Sequence, residues 1–224
     1  MDKDKSIESA VAAVEHQRHE LSIFMDGVGK WFSSHPKLSL PVSPIVHSVK
    51  VRLKDPQHLR DKILRKWSDD DPINETNVFE KITDLAGVRV LHLYQEQFRS
   101  IHEEILVKVN TSKDWYLPES PKAYTWDPES ERFFKELYIR VQLKESFYTS
   151  VHYLVRPRKD SHLCCEIQVR TLFEEIWGEV DHSLNYPNPI PSLSCREQLR
   201  VLAKVVGAGS RLVDSIFRSA EDAF

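Results

Sequence analysis

The run Leu163-Cys164-Cys165-Glu166-Ile167-Gln168-Val169-Arg170-Thr171-Leu172-Phe173-Glu174 holds two structural periods in twelve residues. Leu163, Cys165, Ile167 and Val169 alternate with Cys164, Glu166, Gln168 and Arg170, the two-residue period of a half-buried strand with one polar face. Thr171 to Glu174 then has the spacing of a capping box, and Leu172, Ile176, Val180 and Leu184 recur every four residues, widened by Phe173 and Trp177. A strand running directly into an amphipathic helix places the chain in the mixed α/β (α+β) class.

Working outward, Leu137, Ile139, Val141 and Leu143 predict a second strand, and Tyr148 to Val155 a third, ending at the turn Arg156-Pro157-Arg158-Lys159-Asp160. Paired as a meander, these strands would present Arg140, Lys144, Tyr148, His152, Glu166 and Arg170 on one face. Further upstream, Val49, Val51 and Leu53 alternate with Lys50, Arg52 and Lys54. Asp55-Pro56 then opens a helix with Leu59, Ile63 and Trp67 inward. A short helix near 77–83 leads through Asp84-Leu85-Ala86-Gly87 into an apolar strand, 88–94, and a helix near 96–107. Residues 110–130 show no period and read as a long loop or insertion, a candidate lid. Residues 6–32 carry helical spacing. Ser194-Cys195-Arg196-Glu197 reads as a second capping box, starting a helix to about 219 whose apolar face (Leu199, Leu202, Val206, Leu212, Val213, Ile216) would pack on the domain or form an oligomer seam. The expected organisation is a helical region 1–40, a core 41–190 and a helical region 191–224, with a mixed, mainly antiparallel sheet flanked by helices.

Composition narrows the chemistry. The 224 residues are 41% apolar and 10% aromatic, enough for a core, and 31 basic against 34 acidic residues give a formal charge of −3. That near-balance exerts no global pull on nucleic acid or membrane. The cations are nevertheless clustered: residues 45–66 hold seven basic side chains against Asp55 and Asp61. With six glycines and neither GxGxxG nor GxxxxGK[ST], phosphate binding would fall to side chains and metal. Three cysteines give no disulfide framework. His16 and His19 lack zinc-site neighbours, and the apolar runs are too short for a membrane span. A cytoplasmic location is expected.

Arg52-Leu53-Lys54 with Lys62, Asp84-Leu85-Ala86-Gly87-Val88-Arg89, Tyr148-Thr149-Ser150-Val151-His152, Glu166-Ile167-Gln168-Val169-Arg170-Thr171 and the stretch Trp177 to His182 together resemble the synthetase domain of the RelA/SpoT family. The resemblance spans roughly 45–186, and the shortness of the chain is similar to the small alarmone synthetases and their toxin relatives. It implies a nucleotidyltransferase-like fold and transfer of pyrophosphate from ATP to the ribose 3′-hydroxyl of GDP or GTP. By position, Arg52, Lys54, Lys62 and Arg89 would bind ATP; Asp84 would hold Mg²⁺; Glu166 would support the metal or act as the base. Lys144, Tyr148, His152, Gln168 and Arg170 would serve the acceptor, Tyr148 by stacking on its base.

The resemblance departs at Lys144-Glu145-Ser146-Phe147-Tyr148, where the family commonly has Lys-Pro-Asn-Gly-Tyr. The acceptor therefore stays open among GDP or GTP, adenosine nucleotides and the 3′ end of tRNA. An inactive nucleotide-binding regulatory module is a further alternative. A homo-oligomer and a neutralising antitoxin are the protein partners the resemblance leaves open.

Overall fold

A computed structural model describes residues 2–185 and 190–221. Helices α1 (Lys3–His16) and α2 (Arg18–Ser33) precede strand β1 (Val46–Leu53) and helix α3 (Pro56–Lys66). As the Asp-Pro pair predicts, the Asp55 carboxylate accepts from the backbone N–H of Gln57 at 2.8 Å and of His58 at 3.4 Å, with Pro56 at the first helical position. Then come α4 (Val78–Lys81), β2 (Ala86–His92), α5 (Gln97–Leu106), β3 (Lys122–Thr125), α6 (Pro128–Glu136), β4 (Arg140–Leu143), β5 (Ser150–Val155), β6 (Cys165–Thr171), α7 (Leu172–Asn185) and α8 (Leu193–Glu221).

The strands form one six-stranded mixed sheet in the order β1-β2-β6-β5-β3-β4, flanked by helices. Three pairings are antiparallel (β1/β2, β6/β5, β5/β3) and two parallel (β2/β6, β3/β4). The register places Lys50, Arg89, Gln168, His152, Lys122 and Arg140 opposite one another in turn, a single rung across all six strands. Partners in a rung share a face, so this side of the sheet is polar from edge to edge. Two residues along, Arg52, Gly87 and Glu166 form the neighbouring rung.

The opposite face is the core. Val90, Val169, Val151 and Ala123 in one rung, and Val88, Ile167 and Tyr153 in another, are buried with Leu21, Val28 and Phe32 of α2, Leu59 and Ile63 of α3, and Phe98 and Ile101 of α5. The Tyr153 hydroxyl, sealed in this layer, meets His102 Nδ1 at 2.7 Å, which removes the cost of an unpaired buried hydroxyl. Gly29 lets α2 settle close on the sheet: a β-carbon there would stand 2.7 Å from Val51 Cγ1.

Four expectations are corrected. The aperiodic stretch contains β3, whose four residues are too few to show a period between Pro121 and Trp126. β3 inserts between β5 and β4, so there is no meander, and Arg140 is separated from His152 by Lys122. In α7 the Ile176 and Val180 positions face outward, Ile176 at 56% exposure, while Trp177 and Glu175 are buried. This helix turns its inner side to cations rather than to a purely apolar layer. In α8, Ser192 rather than Ser194 caps the helix, accepting from the Cys195 N–H at 3.2 Å. Its apolar residues divide, with Leu202, Ala203 and Val206 packed against Trp177, whose Nε1 donates to the Leu199 carbonyl at 3.1 Å, while Leu212 and Ile216 are exposed. The Thr171–Glu174 capping box forms as read: Thr171 N–H donates to Glu174 Oε2 at 2.8 Å and Glu174 N–H to Thr171 Oγ1 at 3.2 Å. The sequence places Pro187, Pro189 and Pro191 as terminators of α7, and of these Pro187 and Pro189 lie outside the described residues.

Candidate nucleotide site

A cavity of about 740 Å³ opens on the polar face between β1, β2, β6, α3 and the far end of α7. Lys50, Arg52, Lys54, Lys62, Arg65, Lys66 and Arg89 bring seven cations to its wall; Asp84, Glu166 and Glu179 bring three carboxylates. Alternation along β1 sends Lys50, Arg52 and Lys54 to one side, and α3 folds back so that Lys62 reaches the same space. Of the residues expected to bind ATP, Arg52, Lys54, Lys62 and Arg89 all line this cavity, and so do Asp84, Glu166 and Gln168.

Asp84 stands where the chain enters β2. Its Oδ2 accepts from Lys54 Nζ at 3.0 Å and Lys62 Nζ at 2.5 Å. Burial alone would raise its carboxyl pKa, but Lys62 and Lys54 outweigh burial and hold it below the usual range. Its other oxygen, Oδ1, is buried with no hydrogen-bond partner. A hard oxygen in that condition suits Mg²⁺, which is held by one or two carboxylates together with substrate phosphates. No group of three or more metal-binding side chains is assembled among the described residues.

Glu166 is held at both oxygens: His152 Nδ1 lies 3.1 Å from Oε1, and Gln168 Nε2 donates to Oε2 at 2.6 Å. Burial pushes its pKa up, but the His152 contact and Gln168 bring it below its usual value, against a smaller opposing effect of Asp84. It is thus an ionised, oriented carboxylate. His152 Nε2 faces the Tyr148 hydroxyl at 3.0 Å, which completes a chain from Tyr148 through His152 to Glu166.

The remaining expected acceptor residues lie beside the cavity rather than in its wall. The Tyr148 ring packs on the cluster of Trp177, Ala203 and Val206, with the Arg170 guanidinium 5.8 Å from its centroid. Arg170 is itself 4% exposed and paired with Glu175. Lys144 lies 4.6 Å over the Tyr124 ring, which stands edge-on to His152 at 4.8 Å. Phe147 adopts φ 61°, the left-handed region that glycine occupies freely, and packs on Trp126 at 5.0 Å.

Sequence reasoning missed His58, Glu175, Glu179 and His182. His58 Nδ1 lies 3.1 Å from Arg52 Nη2, and His182 lines the cavity from α7. A glutamate on a helix carries no site signature in sequence, and only the fold of α7 over the sheet gives Glu175 and Glu179 cations to meet.

Residues 51–190 match the family described as "Region found in RelA / SpoT proteins". No curated protein matches the sequence. Among solved structures, small alarmone synthetase 1 from Bacillus subtilis is similar at a TM-score of 0.64 and 20% identity, covering 95% of this chain and 96% of that one. The same enzyme bound to its product pppGpp aligns at 0.62 and 21% identity over 92% and 93%, and its AMPCPP-bound form at 0.62 and 18% over 94% and 95%. At such identities these structures speak for the fold. The family match covers well over half of the chain, including all three cavity carboxylates and six of the seven cavity cations, and on that ground the chain belongs to the RelA/SpoT family.

Proposed function

We propose that this protein is a pyrophosphokinase that transfers the β,γ-pyrophosphate of ATP to the ribose 3′-hydroxyl of GDP or GTP, making (p)ppGpp. The observation that carries the reading is the wall of seven cations around Asp84 and Glu166. A triphosphate donor needs cations that hold it in line, while the reaction asks little covalent chemistry of the protein. The AMPCPP-bound and pppGpp-bound neighbours have the same fold and support nucleotides as the substrates.

Glu166 takes the proton of the attacking hydroxyl, whose oxygen bonds to the β-phosphorus as the bond from that phosphorus to the α,β-bridging oxygen breaks and AMP leaves. A positioned base of this kind contributes roughly 10²- to 10⁴-fold. His152 and Gln168 keep the carboxylate aimed and ionised. Arg52, Lys54, Lys62 and Arg89 grip the donor phosphates, and Gln168, next to Glu166, borders the acceptor ribose. Tyr148 offers a ring to the acceptor base, with Lys144, His152 and Arg170 around it. Asp84 and Glu166 would hold Mg²⁺, which when bound neutralises charge on the phosphates.

A second acceptor reading rests on Phe147. With a bulky ring at φ 61° packed on Trp126, the loop before Tyr148 is filled where a glycine would leave it open, which favours an acceptor other than guanine, the 3′ end of tRNA or an adenosine nucleotide. Incubation of β-labelled ATP with GDP, GTP, ATP or tRNA decides between them. Label on the 3′-oxygen of GDP or GTP is expected; label only on tRNA or on the 3′-oxygen of an adenosine nucleotide moves the acceptor assignment, and no transferred label overturns the proposal.

A further inference from the structure

Glu175 pairs with three cations, more than any other carboxylate among the described residues. It sits in the first turn of α7 with its side chain 7% exposed. Oε1 accepts from Lys50 Nζ at 2.7 Å and from Arg89 Nη1 at 2.9 Å; Oε2 faces Arg170 Nη2 in a close contact. Lys50 and Arg89 are neighbours in one rung of the sheet and both line the cavity. Arg170, in contrast, is buried, and Gly178 leaves the space for it: a β-carbon there would stand 2.7 Å from Arg170 Nη1. One turn further along α7, Glu179 also contacts Arg89 Nη1, at 2.6 Å, but from an exposed position on the cavity rim.

Two carboxylates thus share one guanidinium nitrogen from opposite settings. We infer that Glu175, anchored by Arg170, is a positioning residue that holds Arg89, and with it Lys50, on the cavity floor where donor phosphates are gripped, and that Glu179 competes with those phosphates for Arg89. The inference rests on the reading of the cavity as the ATP site. Burial opposes ionisation of Glu175, yet Lys50, Arg170 and Arg89 bring its pKa down to about 2, so it stays charged at neutral pH. Without that charge, Lys50 and Arg89 would repel each other across adjacent strands and Arg89 would be left to Glu179 alone, drawn towards the cavity rim.

The sign of one measurement separates positioning from bulk electrostatics. Removing a negative charge near a polyphosphate site should by Coulomb's law tighten binding. If Glu175 positions Arg89, its removal weakens binding although the cavity becomes more positive. Calorimetric titration with AMPCPP and Mg²⁺ is therefore run on the wild type, Glu175→Gln, Glu175→Asp, Glu179→Gln, Arg89→Gln and the double variant Glu175→Gln/Arg89→Gln, with melting curves alongside. The expected result is a loss of about tenfold or more for Glu175→Gln, the worth of one charge-assisted contact. A smaller loss is expected for Glu175→Asp, a gain for Glu179→Gln, and no further loss from Glu175→Gln once Arg89 is glutamine. Tighter or unchanged binding by Glu175→Gln overturns the inference, and so does an undiminished loss in the Arg89→Gln background. Should Glu175→Gln not fold, wild-type affinity in Glu175→Asp with no gain in Glu179→Gln overturns it equally. A wild type that does not bind AMPCPP removes the donor-site reading itself and this inference with it, an outcome visible before any variant is compared.

Discussion

Replacing Asp84 by asparagine changes shape little and charge completely, so its consequences can be worked out from the two lysines it serves. Oδ2 accepts from Lys54 at 3.0 Å and from Lys62 at 2.5 Å, and all three side chains are less than a quarter exposed. The amide still accepts from both ammonium groups but loses the attraction between opposite charges, roughly 1 kcal/mol for each partly exposed pair, so the replacement costs about 2 kcal/mol. For a chain of this size that lowers Tm by roughly 4–8 °C. The pH dependence follows from the direction of the shift. Since the folded carboxyl lies below its usual value, its stabilisation is full above the unfolded pKa of about 3.9 and is lost as pH falls through the lower folded value. Wild type and variant should therefore differ in urea melts at pH 7 and converge below about pH 4. The variant should also lose the increment in AMPCPP affinity that Mg²⁺ gives the wild type over EDTA, and turnover should fall at least about a hundredfold, the effect of several kcal/mol of lost charge stabilisation. An Asp84→Asn protein that keeps its Mg²⁺ increment and turnover would refute the assignment of the partnerless Oδ1 to the metal.

Glu166→Gln should lower turnover by about 10²- to 10⁴-fold while AMPCPP affinity measured in EDTA stays within a few-fold of wild type; turnover near the wild-type rate would remove Glu166 from the role of base. Gly29→Ala should lower Tm, since overpacking against Val51 Cγ1 at 2.7 Å costs about 1–3 kcal/mol against a helix-propensity gain of about 1. A raised Tm would mean that α2 gives way freely. Phe147→Gly exchanges relief of a left-handed backbone, about 1 kcal/mol, for loss of a half-buried ring on Trp126. Tm should move by no more than about 4 °C while amide exchange in residues 144–149 quickens; unchanged exchange would show that the ring does not restrain the loop.

What could be read from the sequence was local. The Asp55-Pro56 helix start, the Thr171–Glu174 box and the alternations of β1 and β6 depend on neighbours in the chain and form as read. The strand read from Leu137 begins only at Arg140, because Leu137 closes α6 and Tyr138 turns at φ 58°, and the one read from Tyr148 begins at Ser150. Non-local pairing could not be read. The parallel contact of β2 with β6 is what places Gly87 beside Glu166 and Arg89 beside Gln168, and no period along either strand specifies that partner. β3 escaped because four residues cannot display alternation, and with it went the rung that continues from His152 through Lys122 to Arg140. Glu175 and Glu179 stayed hidden for a related reason: a glutamate on a helix has no signature until the sheet beneath it supplies Lys50, Arg89 and Arg170. Asp84 and Glu166 were legible because each lies in a short string whose order resembles a known family.

The most direct test of the account is the stoichiometry of transfer. Purified protein, Mg²⁺, ATP and GDP are mixed, and AMP and the guanosine product are quantified together by mass spectrometry. The account predicts one AMP released per product molecule and a product heavier than GDP by two phosphoryl groups carried on the 3′-oxygen. ADP in place of AMP, with a single phosphoryl group gained, would contradict it.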